Sequence, residues 1–241
     1  MKWVKRIAAA LGVLVVIAAI TAFIYREELE RLYRVNTLFE EDQIVHNFSN
    51  MRTMFNALEI PRAGPVFEFG AEPRPLPETF QGPLGEWGTK DFLEATRTTS
   101  LLVIRGDKIE FEDYFLGTGP EDQRISWSIA KSFLSALVGI ALDDGAIASM
   151  DDPVEKYAPL LKGSAYEGAT LRQVAMMSSG VDFNEDYLDY DSDINRMGRE
   201  LALGGSLDEF SAGITAKAGA PGENWRYVSI DTHVLGMALR G

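Results

Sequence analysis

The sequence predicts an α+β domain carried behind one apolar N-terminal helix. Three observations predict it: an uncharged, mostly apolar run of 19 residues at 7–25, a hairpin pattern at 99–115, and a succession of helical patterns from 129 onward. A hairpin followed by helices fits helices layered on an antiparallel sheet. With 241 residues, one domain plus an appendage is the natural expectation.

The apolar run follows Lys2, Lys5 and Arg6. At about 1.5 Å of rise per residue, a helix of this length spans roughly 28 Å, close to the thickness of a bilayer core. The basic flank predicts a cytoplasmic N-terminus, with the remainder of the chain in the periplasm or at the cell exterior. The competing reading is a cleaved signal peptide and a secreted domain. Signal peptides have shorter apolar regions, and the only Ala-x-Ala in this run, Ala8 to Ala10, lies at the wrong end. Length and cleavage chemistry favour an uncleaved, single-pass anchor over residues 1–25.

Residues 26–36 are polar, with Leu29, Leu32 and Tyr33 at helical spacing, and predict a juxtamembrane helix that opens a linker over 26–60. Pro61, Pro65, Pro73, Pro75 and Pro77 predict an extended arm, because proline cannot donate to a central ladder. The first strong strand pattern is 99–105, and Gly106-Asp107 is a two-residue turn. In 108–115, Ile109 and Phe111 face one way and Glu110 and Glu112 the other, so the hairpin should have one buried face. Helical patterns follow at 129–144 (closed by Gly145), 152–161, 171–178 and 230–239. Residues 61–241 are read as the start of one catalytic-type domain.

Composition excludes several functions. The net charge is −13 and no Lys/Arg-rich block follows the N-terminus, so nucleic acid is not an expected partner. A small neutral or cationic ligand suits that field better. There is no cysteine and only His46 and His233, which leaves no thiol nucleophile and no Cys/His metal site. Neither a cofactor nor a metal is expected, and nothing in the composition fixes an oligomeric state.

The chemistry gathers at Ser128-Ile129-Ala130-Lys131, the only Ser-x-x-Lys in the chain. Side chains at i and i+3 are neighbours on a helix, so a hydroxyl and an amine share one face. Phe133, Leu134, Leu137, Val138, Ile140, Ala141 and Leu142 make the helix behind them apolar almost all round, which predicts a buried helix. Burial would push the Lys131 amine below its usual value of about 10.4 and make it a base. The helix N-terminus adds free N–H groups, so the Ser128 amide is a natural oxyanion donor. The plain alternative is a capping serine with a lysine reaching to solvent. Tyr227, after the turn at Pro221-Gly222, supplies a third partner: beside a cationic lysine its phenol should be acidic enough to pass a proton.

These residues carry a family resemblance. Trp127-Ser128-Ile129-Ala130-Lys131-Ser132-Phe133, Asp151-Asp152-Pro153-Val154, Thr170-Leu171-Arg172, Met177-Ser178-Ser179-Gly180, Pro221-Gly222, Tyr227-Val228-Ser229 and Leu235-Gly236 stand in order over 99–241. The chain resembles the serine hydrolases related to class C β-lactamases, especially the branch containing 6-aminohexanoate-dimer hydrolases and similar esterases. The resemblance implies a β-lactamase/transpeptidase-like fold: an antiparallel sheet flanked by helices, plus a mostly helical subdomain. It implies Ser128 as the acylated nucleophile, Lys131 as its proton acceptor and Tyr227 as the shuttle to the leaving group. The implied substrate is a small amide or ester, with no cofactor.

Two departures qualify the resemblance. Ser229 stands where penicillin-type members carry asparagine, which favours an amidase or esterase over a β-lactamase or DD-peptidase. The family's third motif, on a later strand that also donates the second oxyanion N–H, has no counterpart here. A missing oxyanion donor costs on the order of 10²–10³ in rate. The expectation is therefore the N-terminal portion of such an enzyme, truncated at the C-terminus and inactive on its own. A membrane-anchored, catalytically inert protein of the same fold is the rival reading.

Other candidates rank lower. Tyr190-Asp191-Ser192 repeats the Tyr-x-Ser pattern without the Pro-Gly lead-in. Asp182, Glu185, Asp186, Asp189, Asp191 and Asp193 miss the EF-hand spacing and read as a solvated loop. The resemblance places that loop over the cleft, which makes Tyr187 and Tyr190 candidate substrate-binding residues with Ser229. Trp127 is either core or cleft wall. His233 is read as packed or solvent-facing, and Gly204-Gly205 lacks the context of a nucleotide loop.

Overall fold

Apolar periodicity and turn chemistry set most of the elements seen in the computed structural model, which describes residues 2–55 and 57–241 without the side chains of Lys5 and Ala8. The chain divides into two compact units: 1–37, 52–56 and 126–241 form one, and 38–51 with 57–125 form the other.

In the second unit, α3 (Ile44–Ser49) precedes the short β1 (Gly70–Ala71), then β2 (Thr79–Gly82), β3 (Gly85–Gly88), α4 (Thr89–Ala95), β4 (Ser100–Arg105) and β5 (Lys108–Tyr114). β4 and β5 form the expected antiparallel hairpin, with Arg105 opposite Lys108 and a register shift between Val103 and Ile104. Gly106 takes φ +62° in the connecting turn, a conformation glycine adopts without steric cost. Two features depart from the sequence reading. β1 joins the other edge of β5 in parallel, so the three-stranded sheet is mixed. Glu110 is buried instead of outward-facing, because Arg105 at 2.9 Å and Arg74 at 3.3 Å neutralise it there. The proline-rich arm also contains a second hairpin, β2 with β3.

The first unit holds α1 (Lys2–Ile24) and α2 (Arg26–Asn36), then α5 (Ile129–Asp143), α6 (Leu171–Ala175), α7 (Asp193–Ala202), α8 (Leu207–Ala212) and α9 (Ser229–Arg240). α1 is long and apolar enough to cross a membrane, with a mean hydropathy of 2.8 and no burial over its best window. α2 packs against α7. The expected helix at 152–161 is instead two 3-10 turns, Val154–Lys156 and Pro159–Leu161. Pro153 and Pro159 prevent a continuous helix there. α6 starts at a capping box, in which Thr170 and Gln173 exchange side-chain and backbone hydrogen bonds.

The core of this unit lies around Tyr166, Phe183, Leu161, Leu171, Val154 and Val174, all without meaningful exposure. α9 presses Ile230, Val234, Leu235, Met237 and Ala238 into it, a stripe repeating every three to four residues. α5 differs from its expected burial. Only Val138 is buried, while Phe133, Leu137 and Ile140 are 69%, 52% and 56% exposed. The helix is apolar on more faces than the described residues cover: one face meets α9, and the Phe133–Leu137–Ile140 row meets solvent.

Candidate active site

Ser128 sits at the N-terminal boundary of α5 with φ −67°, and its side chain makes no capping hydrogen bond. Its Oγ instead lies 2.7 Å from the Oη of Tyr227. The hydroxyl is thus engaged away from the helix backbone, on which a capping serine would spend it. The residue before it, Trp127, holds φ +46°. A non-glycine residue in this left-handed region costs on the order of 1–2 kcal/mol, and such conformations collect at functional sites. The twist starts a tight turn in which Ile129, Ala130 and Lys131 donate their amides to Ser126, Trp127 and Ser128. Among the described residues, the Ser128 amide donates to no backbone carbonyl. It remains a donor at a positive helix end.

Lys131, half-buried, places its Nζ 5.5 Å from the centroid of the Tyr227 ring. An ammonium over a tyrosine face is attracted by the ring quadrupole. No hydrogen bond joins Lys131 to Ser128 among the described residues, so Tyr227 is the group that touches both. The amine is also less enclosed than a buried α5 would make it.

Tyr227 is held by its neighbours in sequence. Arg226 donates its amide to the Met177 carbonyl at 2.9 Å, its Nη1 to Asp182 at 2.7 Å and its Nη2 to the Phe183 carbonyl at 3.0 Å. Gly222 donates to the Ser178 carbonyl and Gln173 Nε2 to the Pro221 carbonyl. The loop at 177–180 is thus the platform for the Tyr227 segment. Met177 takes φ +54° there, and Gly180 takes φ +79° with room for no side chain: a Cβ would fall 2.5 Å from the Gly219 carbonyl oxygen.

Ser229 donates both its amide and its Oγ to the Glu185 carboxylate, the latter at 3.1 Å. Tyr187 is hydrogen-bonded to Ser229, and partial burial followed by the Glu185 charge pushes its hydroxyl above the usual range. Tyr187 and Ser229 therefore reach the wall that carries Tyr227. The Tyr190 ring stacks 3.9 Å beneath the Arg199 guanidinium, which also donates to the Tyr190 carbonyl. Trp127 is 42% exposed, a surface residue beside Ser128 instead of core. His233 bonds Asp208 at 2.7 Å, alongside Arg240.

Glu185 escaped the sequence reading because its partner is 44 residues away. Around it the acidic residues do behave as loop-formers: Asp186 and Asp189 accept the amides of Leu188 and Asp191, and Asp193 accepts that of Asn184. Among the described residues, no group of three or more His, Asp or Glu side chains converges as a metal site.

An α+β frame that sets a serine at a helix N-terminus, a lysine one turn on and a tyrosine opposite defines a class, the serine hydrolases related to class C β-lactamases. The chain belongs to the Beta-lactamase family, whose profile matches residues 90–241. It is 33% identical over 148 residues to the 6-aminohexanoate-dimer hydrolase of Paenarthrobacter ureafaciens, a match covering 59% of this chain. The chain spans only 38% of the length of that curated relative. A solved Bacillus anthracis structure provisionally assigned as a 6-aminohexanoate-dimer hydrolase superposes with a TM-score of 0.66 at 18% identity, covering 84% of this chain and 56% of that one. A Bacteroides dorei structure provisionally assigned as a beta-lactamase gives 0.46 at 20% identity, covering 63% and 43%. The family match and the Bacillus likeness together show the β-lactamase-like fold.

Proposed function

We propose that this chain carries the nucleophilic portion of a serine hydrolase that cleaves amide or ester bonds through an acyl-enzyme on Ser128. The single observation carrying this is the 2.7 Å contact between Ser128 Oγ and Tyr227 Oη, with Lys131 Nζ 5.5 Å from the centroid of the same ring. Ser128 Oγ attacks the substrate carbonyl carbon while its proton passes to Tyr227, with Lys131 as the amine that takes up or returns it. The Ser128 amide donates to the oxygen that becomes negative in the tetrahedral intermediate. Collapse expels the amine or alcohol, which takes its proton from Tyr227. Water then attacks the acyl group by the reverse path and frees Ser128.

The name of the Paenarthrobacter relative supports an amide substrate of small size. Tyr187 and Ser229 form the flank on which such a substrate would lie. The exposed apolar helix α1 supports a single-pass anchor with a cytoplasmic N-terminus and an outward-facing hydrolase portion. The test is fluorophosphonate labelling of the whole protein. Labelling at Ser128 that disappears in Ser128→Ala is the expected result, and unchanged labelling in that variant removes the mechanism. Comparing nitrocefin with p-nitrophenyl esters separates β-lactamase from esterase turnover, and ester turnover is expected.

A further inference from the structure

Behind Tyr227, the first turn of α9 buries a carboxyl group. Asp231 has 0% exposure. Tyr166 Oη donates to its Oδ1 at 2.7 Å and Ser179 Oγ donates to the same oxygen at 3.0 Å. Its Oδ2 is buried without a hydrogen-bond partner among the described residues. A buried carboxyl with one bare oxygen is costly. The cost calls for a reason, and the location supplies one. Asp231 lies four residues beyond Tyr227 and two beyond Ser229. Ser179 belongs to the 177–180 platform that accepts the Arg226 and Gly222 amides.

We propose that Asp231 is a positioning residue of this site: its buried carboxyl ties the turn carrying Tyr227 and Ser229 to Tyr166 and Ser179 and sets a charge behind the Ser128–Tyr227 contact. The proposal rests on the acyl-transfer reading given above. Burial pushes Asp231 up to about 7. The Tyr166 and Ser179 hydrogen bonds oppose that rise, Glu185 adds to it, and Lys131 opposes it. Those are the groups that bear on its charge. Of the other charges around α9, Lys156 pairs with Asp152, Arg172 with Asp151, and both His233 and Arg240 with Asp208, while Asp143 on α5 and Glu209 on α8 are exposed. Glu155 accepts the Gly168 amide. A cationic Lys131 therefore favours ionised Asp231.

The experiment follows fluorophosphonate labelling of Ser128 against pH in the whole protein in detergent micelles, for the wild type, Asp231→Asn and Tyr166→Phe. Asparagine keeps an oxygen for both hydroxyl donors and adds no negative charge beside the site. Asp231→Asn is expected to label, and the fraction of its plateau rate retained at pH 6.5 should rise about threefold over the wild type. Tyr166→Phe should shift the profile the same way by less, because it removes a hydrogen bond that favours the ionised form. An Asp231→Asn protein that labels more slowly with an unchanged pH midpoint has lost only a structural prop, and that overturns the proposal. If Asp231→Asn does not fold, an unchanged midpoint in Tyr166→Phe overturns it instead. Absence of Ser128 labelling in the wild type at every pH overturns the acyl-transfer reading, and this proposal falls with it.

Discussion

Ser128 Oγ and Tyr227 Oη meet at 2.7 Å although 99 residues of chain separate them. The contact joins the N-terminus of α5 to the segment leading into α9, and both ends are fixed by backbone bonds. Its energetic weight in folding is small, about 1 kcal/mol for a solvent-exposed pair. Its weight in the proposed chemistry is larger, because it delivers a proton acceptor to the hydroxyl.

Tyr227→Phe keeps the ring beneath the Lys131 ammonium and removes the oxygen that faces Ser128. The acylation rate should fall about 10²- to 10⁴-fold with little change in KM, the range for losing a positioned proton-transfer group. Burst kinetics with a p-nitrophenyl ester measure it. A loss confined to KM would assign Tyr227 to binding alone.

Lys131→Arg keeps a cation over the ring but cannot supply a neutral base, since a guanidinium holds its proton throughout the accessible pH range. Labelling should drop about 10³-fold or more, while the thermal midpoint stays within a few degrees. Wild-type labelling in this variant would show that only the positive charge matters.

Gly180→Ala adds a methyl group where φ is +79° and the Gly219 carbonyl oxygen would stand 2.5 Å away. The strain and the displaced backbone should cost about 2–4 kcal/mol, read from chemical denaturation. Labelling at Ser128 should fall with it, because the loop that moves is the platform for Tyr227. A variant with native stability would place the tolerance of that turn well above what its geometry allows.

Asp231 makes stability depend on pH in a defined direction. Its carboxyl is raised from 3.8 to about 7 by burial, so the folded state binds more protons than the unfolded state between those values. Stability therefore falls as pH rises from about 4 to about 7, by an amount on the order of 4 kcal/mol, and then levels. Asp231→Asn should flatten that dependence and match or exceed the wild type at pH 8. Parallel melting curves for the two proteins across this window would contradict the assignment.

Removing residues 1–25 should move the protein from the carbonate-resistant membrane pellet to the soluble fraction. A helix of hydropathy 2.8 with no burial in the fold has the length and composition for a bilayer. Release of the full chain by carbonate would instead indicate a processed or peripheral segment.

Sequence by itself determined the local features. Period-two alternation and Gly106-Asp107 set the β4–β5 hairpin, a three-to-four-residue stripe set α9, and the Ser-x-x-Lys pattern fell at the start of α5. Proline overrode the pattern at 152–161, a conflict already visible in Pro153 and Pro159. The site's remaining partners were not legible, because hydrogen bonds and ion pairs form between atoms that the folded chain brings together. Glu185 looked like one more carboxylate in a solvated loop until it met Ser229. Glu110 looked solvent-facing until Arg105 and Arg74 closed on it. Nothing in the sequence marked Asp231, whose water packing removed, leaving Tyr166 and Ser179 as its donors. The exposure of α5 was decided the same way, since apolar composition states what a surface prefers and only the neighbours present determine whether it is covered.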